Sequence, residues 1–290
     1  ATVVAPDGSY VNTSGTRTGG LQEALDFATS HDHNLEAVGR GVWTICSADC
    51  GASVVTVPAA QNFFLDLRGP LLNFGQRNHS GTFILVDSQI NSALAFGTIV
   101  YAGRGTALAF APTEKAPTDG VVTIADTQLW ISSISRTGGV PAGDSVGFAA
   151  DTTHGSVTWN RIEIMQVGGF GANVVMGCAA EPCASTANYN NILVEHSQGA
   201  GYLGGGRGQG PYCAIRVGAR ASDNRWRVTI DGQGLNQSAG VCTNGSADTW
   251  ELGTLNLPTH GSGLIVHPPA SRNLFTCSRL QGGVTNHAGG

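Results

Sequence analysis

Asn224-Arg225-Trp226-Arg227-Val228-Thr229-Ile230 reads as a β-strand that starts on a polar anchor. Apolar side chains follow at the second and fourth places and again near the seventh. A spacing of two, not 3.6, is what a strand produces when one face is buried. The phrase returns at Asn273-Leu274-Phe275-Thr276-Cys277-Ser278-Arg279-Leu280. It can also be laid over Ser92-Ala-Leu94-Ala-Phe96, Thr127-Gln-Leu129-Trp-Ile131, Asn160-Arg-Ile162-Glu-Ile164, Asn190-Asn-Ile192-Leu-Val194 and Asp248-Thr-Trp250-Glu-Leu252.

The seven anchors stand 35, 33, 30, 34, 24 and 25 residues apart. A loose repeat of roughly 30 residues marks a solenoid, whose units bury their apolar faces only against their neighbours. The second and fourth places give an inward ladder of Leu94/Phe96, Leu129/Ile131, Ile162/Ile164, Ile192/Val194, Trp226/Val228, Trp250/Leu252 and Phe275/Cys277, every member apolar. A register slip of one place would bury charges, so the phasing is strongly constrained. On this phasing Cys277 is expected to be a buried, unreactive thiol.

Composition agrees with an all-β chain. Glycine supplies 42 of 290 residues, as many short strands joined by tight turns require. The 290 residues are read as one β-helix domain, with a cap over 1–35, coils over 54–283 and a tail over 284–290. A single lysine, Lys115, accompanies fourteen arginines, and the net charge is −5, so nothing resembles a nucleic-acid footprint. No apolar run reaches the roughly 18 residues of a membrane span. Monomers or side-by-side trimers are both compatible with such a solenoid.

Seven cysteines and four Asn-x-Ser sequons, at Asn12, Asn78, Asn236 and Asn244, point to a secreted, extracellular glycoprotein. Cys46 with Cys50, and Cys178 with Cys183, are close enough to staple local loops, while Cys213 and Cys242 fall in successive repeats and can clip two coils together. The glycine cluster Gly204-Gly-Gly-Arg207-Gly-Gln-Gly210 lacks the Gly-Lys-Ser/Thr ending of a phosphate loop and reads as a loop beside the coils.

Ahead of the coils, an Asp7-Gly8 turn precedes Gly19-Gly-Leu-Gln-Glu-Ala-Leu25, an amphipathic helix with Leu21, Ala24, Leu25 and Ala28 on its apolar face. A helix there covers the open end of the first coil. This helix followed by loosely spaced coils resembles the pectate-lyase-like right-handed parallel β-helix superfamily, over most of the chain. The resemblance implies a single-stranded right-handed parallel β-helix with a short N-terminal capping helix. It does not choose a chemistry, since that superfamily includes lyases, hydrolases, epimerases and phage spikes.

Chemistry has to come from the outward places. They hold Gln128 and Trp130, Arg161 and Glu163, Asn191 and Glu195, Arg225 and Arg227, and Thr249 and Glu251, with Leu193 and Leu274 as apolar exceptions. Opposite charges on neighbouring strands stabilise any ladder modestly. Six charged side chains on one face are nevertheless a concentration in a chain only 12% charged. Glu163 and Glu195 are the candidate acid and base for cleaving a polysaccharide or oligosaccharide, by hydrolysis or β-elimination. Arg161, Arg225, Arg227 and Glu251 are candidate substrate-binding groups, and Trp130 offers a stacking face. The same strip would serve a non-catalytic carbohydrate-binding or adhesin module, and a solenoid enzyme of small-molecule chemistry near the 199–211 loop is a third reading. The pectate-lyase-like lyases that the chain resembles hold calcium in an aspartate cluster; here Asp223 and Asp231 only flank the strip, so Ca2+ is unsupported and no cofactor is expected. The polygalacturonase-like motifs are absent, and His154, His196, His260 and His267 stand alone.

Overall fold

The computed structural model describes residues 3–4, 10–11, 18–46, 52–116, 120–137, 145–178, 185–198, 213–231, 239–256, 262–280 and 283–287. Within them the chain is all-β with one helix, Leu21–Ser30. Its strands stack into three parallel sheets of eleven, nine and six strands, plus a two-stranded antiparallel pair, Val3–Val4 with Tyr10–Val11.

The path repeats coil after coil. Strand Ala93–Tyr101 lies in the first sheet, Thr106–Phe110 in the second and Thr123–Ala125 in the third, and Gln128–Arg136 re-enters the first sheet beside Ala93–Tyr101. This is a β-helix-like solenoid, and the phrase marks the first-sheet strand of each coil. Leu94, Leu129, Ile162, Ile192, Trp226 and Trp250 are in register along the axis. All are buried, as are Phe96, Ile131, Ile164, Val194, Val228 and Leu252. The Trp226 and Trp250 rings stack at 4.8 Å and 4° inside the tube, the separation that rungs about 4.8 Å apart impose on identical side chains.

The last rung departs from expectation. Cys277 lies opposite Leu252, so its phase is the inward one, yet it is a free thiol and exposed. Leu274–Leu280 ends the first sheet, and no further strand stacks on its outer side among the described residues. Phasing decides which way a side chain points; only a following coil removes it from water. Val284–Asn286, read in the sequence as tail, adds one more strand to the second sheet.

The other end is covered. Leu21, Ala24, Leu25 and Ala28 are buried as the amphipathic pattern requires, and the Gln22 side chain imitates a missing strand. Its Nε2 donates to Thr56 O at 2.8 Å while its Oε1 accepts from Thr56 N at 2.7 Å, which satisfies an otherwise open strand edge. Leu35–Glu36 and Gly41–Thr44 already pair with Phe64–Phe74, ahead of Val54.

The polar anchors have a structural role beyond punctuation. Asn160 Oδ1 accepts from Thr127 N (3.0 Å), Asn190 Oδ1 from Asn160 N (3.1 Å), Asn224 Oδ1 from Asn190 N (3.0 Å), Asp248 Oδ1 from Asn224 N (2.8 Å) and Asn273 Oδ1 from Asp248 N (2.9 Å). Each asparagine amide also donates to a backbone carbonyl of the preceding corner, those of Ile124, Val157 and Ala187 in the third sheet and that of Gly245 beyond its last strand. The residue before each anchor turns the corner with positive φ: Asn62, Asn91, Asp126, Trp159, Tyr189, Asp223, Ala247 and Arg272, between 50° and 61°. Asparagine and aspartate tolerate that conformation; other residues are held there at a cost of about 1–2 kcal/mol.

The clip between Cys213 and Cys242 is present, with Cα atoms 5.8 Å apart on neighbouring second-sheet strands. Cys46 and Cys178 are disulfide-bonded as well. The partners expected for them, Cys50 and Cys183, lie outside the described residues, as do the 199–211 loop, Asn12 and Asn236. Asn78 is exposed, while Asn244 is half-buried and donates from its amide to Pro268 O. Among the described residues no helix is long and apolar enough to cross a membrane.

Candidate functional site

The outer face of the first sheet carries two side-chain ladders. One runs Phe64, Ala93, Gln128, Arg161, Asn191, Arg225, Thr249, Leu274. The other runs Glu36, Asp66, Ala95, Trp130, Glu163, Leu193, Arg227, Glu251, Thr276. Every residue expected on the strip except Glu195 is in one of these ladders, because strand alternation fixes the side on which a side chain emerges; Glu195 falls at the irregularity between Val194 and Ser197 and is in neither.

Two clefts break the face. The first, of about 320 Å³, has Ala93 and Ala95 on its floor and Phe64, Arg68, Gln128, Trp130, Arg161 and Glu163 among its walls. Its cause is local: both outward places of one rung are alanine, and the rungs on either side carry large side chains. Trp130, half-buried, stands beside Ala95 with little to cover it. The second cleft, of about 220 Å³, is lined by Arg161, Glu163, Asn191, Leu193, Arg225 and Arg227. Arg161 and Glu163 belong to both, and their ion pair is the partition between them.

That pair is made within one strand, Arg161 Nε donating to Glu163 Oε1 at 2.6 Å. Arg227 pairs across rungs with Glu251, two nitrogens donating to one carboxylate oxygen at 3.1 Å. At the far wall of the first cleft Arg68 Nε donates to both oxygens of Asp66 at 3.0 Å. This bond holds the Asp66 carboxyl below its ordinary range, against an opposing effect of burial. Arg225 is exposed and has no carboxylate partner among the described residues. The second cleft is thus lined by three guanidinium groups, two of them already paired, Arg161 with Glu163 and Arg227 with Glu251, which leaves Arg225 to meet an anion.

Glu163 and Glu195 do not meet in either cleft. Glu163 is in register with Leu193, and Glu195 lies two residues farther along, at the irregularity between Val194 and Ser197. From strand geometry their Cα atoms are about 8 Å apart. Glu251 sits one rung beyond the second cleft, tied to Arg227. Among the described residues no group of three or more His, Cys, Asp or Glu side chains could hold a metal ion.

Sequence reading missed Phe64, Asp66 and Arg68. The signal was there: Phe63-Phe64-Leu65-Asp66-Leu67 carries the same alternation, but its anchor place is filled by apolar Phe63 and escapes a pattern built on polar anchors. It also missed the alanines, since a notch is made by what is small and only matters once its neighbours are known. No protein-family model matches the chain, and no curated protein or solved structure matches it at a significant level.

Proposed function

We propose that this protein is a secreted carbohydrate-active β-helix that holds an anionic polysaccharide along the outer face of its first sheet. The carrying observation is the pair of clefts sharing the Arg161–Glu163 partition, one floored by alanine and walled by aromatics, the next lined by three arginines. A sugar chain presents apolar ring faces and polar or charged edges in alternation, and an aromatic wall followed by guanidinium groups matches that sequence of surfaces. Within this reading the coil is right-handed and single-stranded, as in the pectate-lyase-like superfamily. The Cys213–Cys242 bridge supports an oxidising compartment.

A second reading, that the groove cleaves what it binds, is favoured by the position of Glu163 between both clefts. One carboxylate among arginines suits β-elimination better than a two-carboxylate hydrolysis. Arg225 and Arg227 neutralise the uronate, which acidifies the proton at C5. Glu163 takes that proton, the C4–oxygen bond breaks, a C4–C5 double bond forms, and the leaving oxygen is protonated by solvent.

The test is binding and turnover on polygalacturonate and on a neutral β-glucan. Arg225→Ala and Arg227→Ala should weaken polygalacturonate binding and spare the neutral polymer. Unsaturated-uronate absorbance lost in Glu163→Gln, with binding kept, establishes cleavage. Equal binding of acidic and neutral polymers by both arginine variants and the native protein would falsify the anionic reading.

A further inference from the structure

Two residues at the corner of the coil contradict what the corner favours. Of the eight positive-φ corner positions, four are Asn or Asp, yet two successive coils carry Trp159 and Tyr189 at φ 61° and 58°. Neither aromatic is there to fill the core: Trp159 is 60% exposed and Tyr189 48%. A strained conformation occupied by a large exposed ring is an outlier from which function can be argued.

The two rings stack on each other, with centroids 4.4 Å apart and planes 16° from parallel. Stacked in this way, the pair presents one continuous aromatic block. The neighbouring corners are the short, exposed Asp126 on the Trp159 side and Asp223 on the Tyr189 side. Small acidic neighbours leave room beside the block and supply acceptors for hydroxyl groups. Trp159 precedes Arg161 by two residues and Tyr189 precedes Asn191 by two, so along the chain the block lies two residues from two of the side chains that line the second cleft.

We infer that Trp159 and Tyr189 form an aromatic shelf that seats the apolar face of one sugar ring at the rim of the groove, an inference that rests on the reading of that groove as a glycan site. Ring hydrogens pack on the aromatic face while hydroxyls reach Asp126 or Asp223. Stacking does not depend on the ligand's charge, so the shelf serves acidic and neutral polymers alike.

The corner itself provides a clean test. Asparagine occupies this position at Asn62 and Asn91, so Trp159→Asn and Tyr189→Asn keep the backbone conformation, and an unchanged circular-dichroism spectrum checks that the coil is intact. Affinity electrophoresis in polygalacturonate and in a neutral β-glucan should show each variant weakened roughly fivefold to tenfold on whichever polymers the native protein binds. That loss should be the same at low and high salt. Native-like binding by both variants, with polygalacturonate binding lost in Arg225→Ala, overturns the shelf and leaves the groove. Loss in Trp159→Asn with none in Arg225→Ala keeps the shelf and removes the anionic groove. No binding of either polymer by the native protein overturns both. A sedimentation change in the variants without a change in glycan binding makes the block a contact between copies and overturns the shelf.

Discussion

The same first-sheet strands carry two ladders of polar side chains, one at their dry inner end and one on their wet outer face. The anchors Asn160, Asn190, Asn224 and Asp248 are buried and bonded rung to rung through backbone N–H groups. Arg161, Glu163, Arg227 and Glu251 are paired in water. Chemically similar groups thus have opposite consequences, because a partner lost in the interior leaves a desolvated group, whereas one lost on the surface is replaced by solvent. Stability belongs to the first ladder, and the binding proposed above to the second.

Breaking the inner ladder should have the largest effect. Asn224→Ala removes the acceptor for Asn190 N and Nδ2 and the donor to Ala187 O. The expected loss is about 3–5 kcal/mol in chemical denaturation, since several buried groups are orphaned together.

Asp248 is the ladder's inconsistent member. It accepts from Asn224 but, as a carboxylate, has no proton to give, and its Oδ2 is buried without a partner. Burial raises its pKa from 3.8 to about 6, the bonds from Asn224 opposing and the nearby Asp223 charge assisting. Between those values the unfolded chain has released the proton and the folded chain still holds it, so stability falls as pH rises through the window and levels off above it. The shift corresponds to about 3 kcal/mol. Denaturation midpoints at pH 4 and pH 7 should differ accordingly, once other groups are subtracted by Asp248→Asn, which restores the amide used at every neighbouring anchor and should be the more stable protein at pH 7.

On the outer face the effects are smaller and read in binding. Arg225→Ala should weaken polygalacturonate binding by about tenfold at low salt and by less at high salt, because an exposed charge is screened. Glu163→Gln should change stability by less than about 0.5 kcal/mol, the usual worth of an exposed ion pair. A loss of several kcal/mol there would show that the partition between the clefts is structural and erase the contrast between the two ladders.

Much of this was legible early. The alternation in Asn224–Ile230 placed Trp226 and Val228 inside and Arg225 and Arg227 outside, and the register along seven coils agrees. The anchor was visible as a polar position, but its bonding was not, because an asparagine that bonds the next coil's backbone looks in sequence like one that merely ends a turn. The exposure of Cys277 was misjudged because periodicity is silent about where a stack ends.

By itself the sequence determined period, phase and therefore face: a side chain's direction in a strand follows from its parity, which is written in the order of residues. Only the tertiary structure decided which outward residues become neighbours, since that depends on coils of 24 to 35 residues, unequal in their loops, closing onto one register. The alanine notch, the shared Arg161–Glu163 partition, the separation of Glu163 from Glu195 and the stacked Trp159–Tyr189 block are all contacts between coils. Adjacency across rungs is set by packing, and packing is a property of the folded chain.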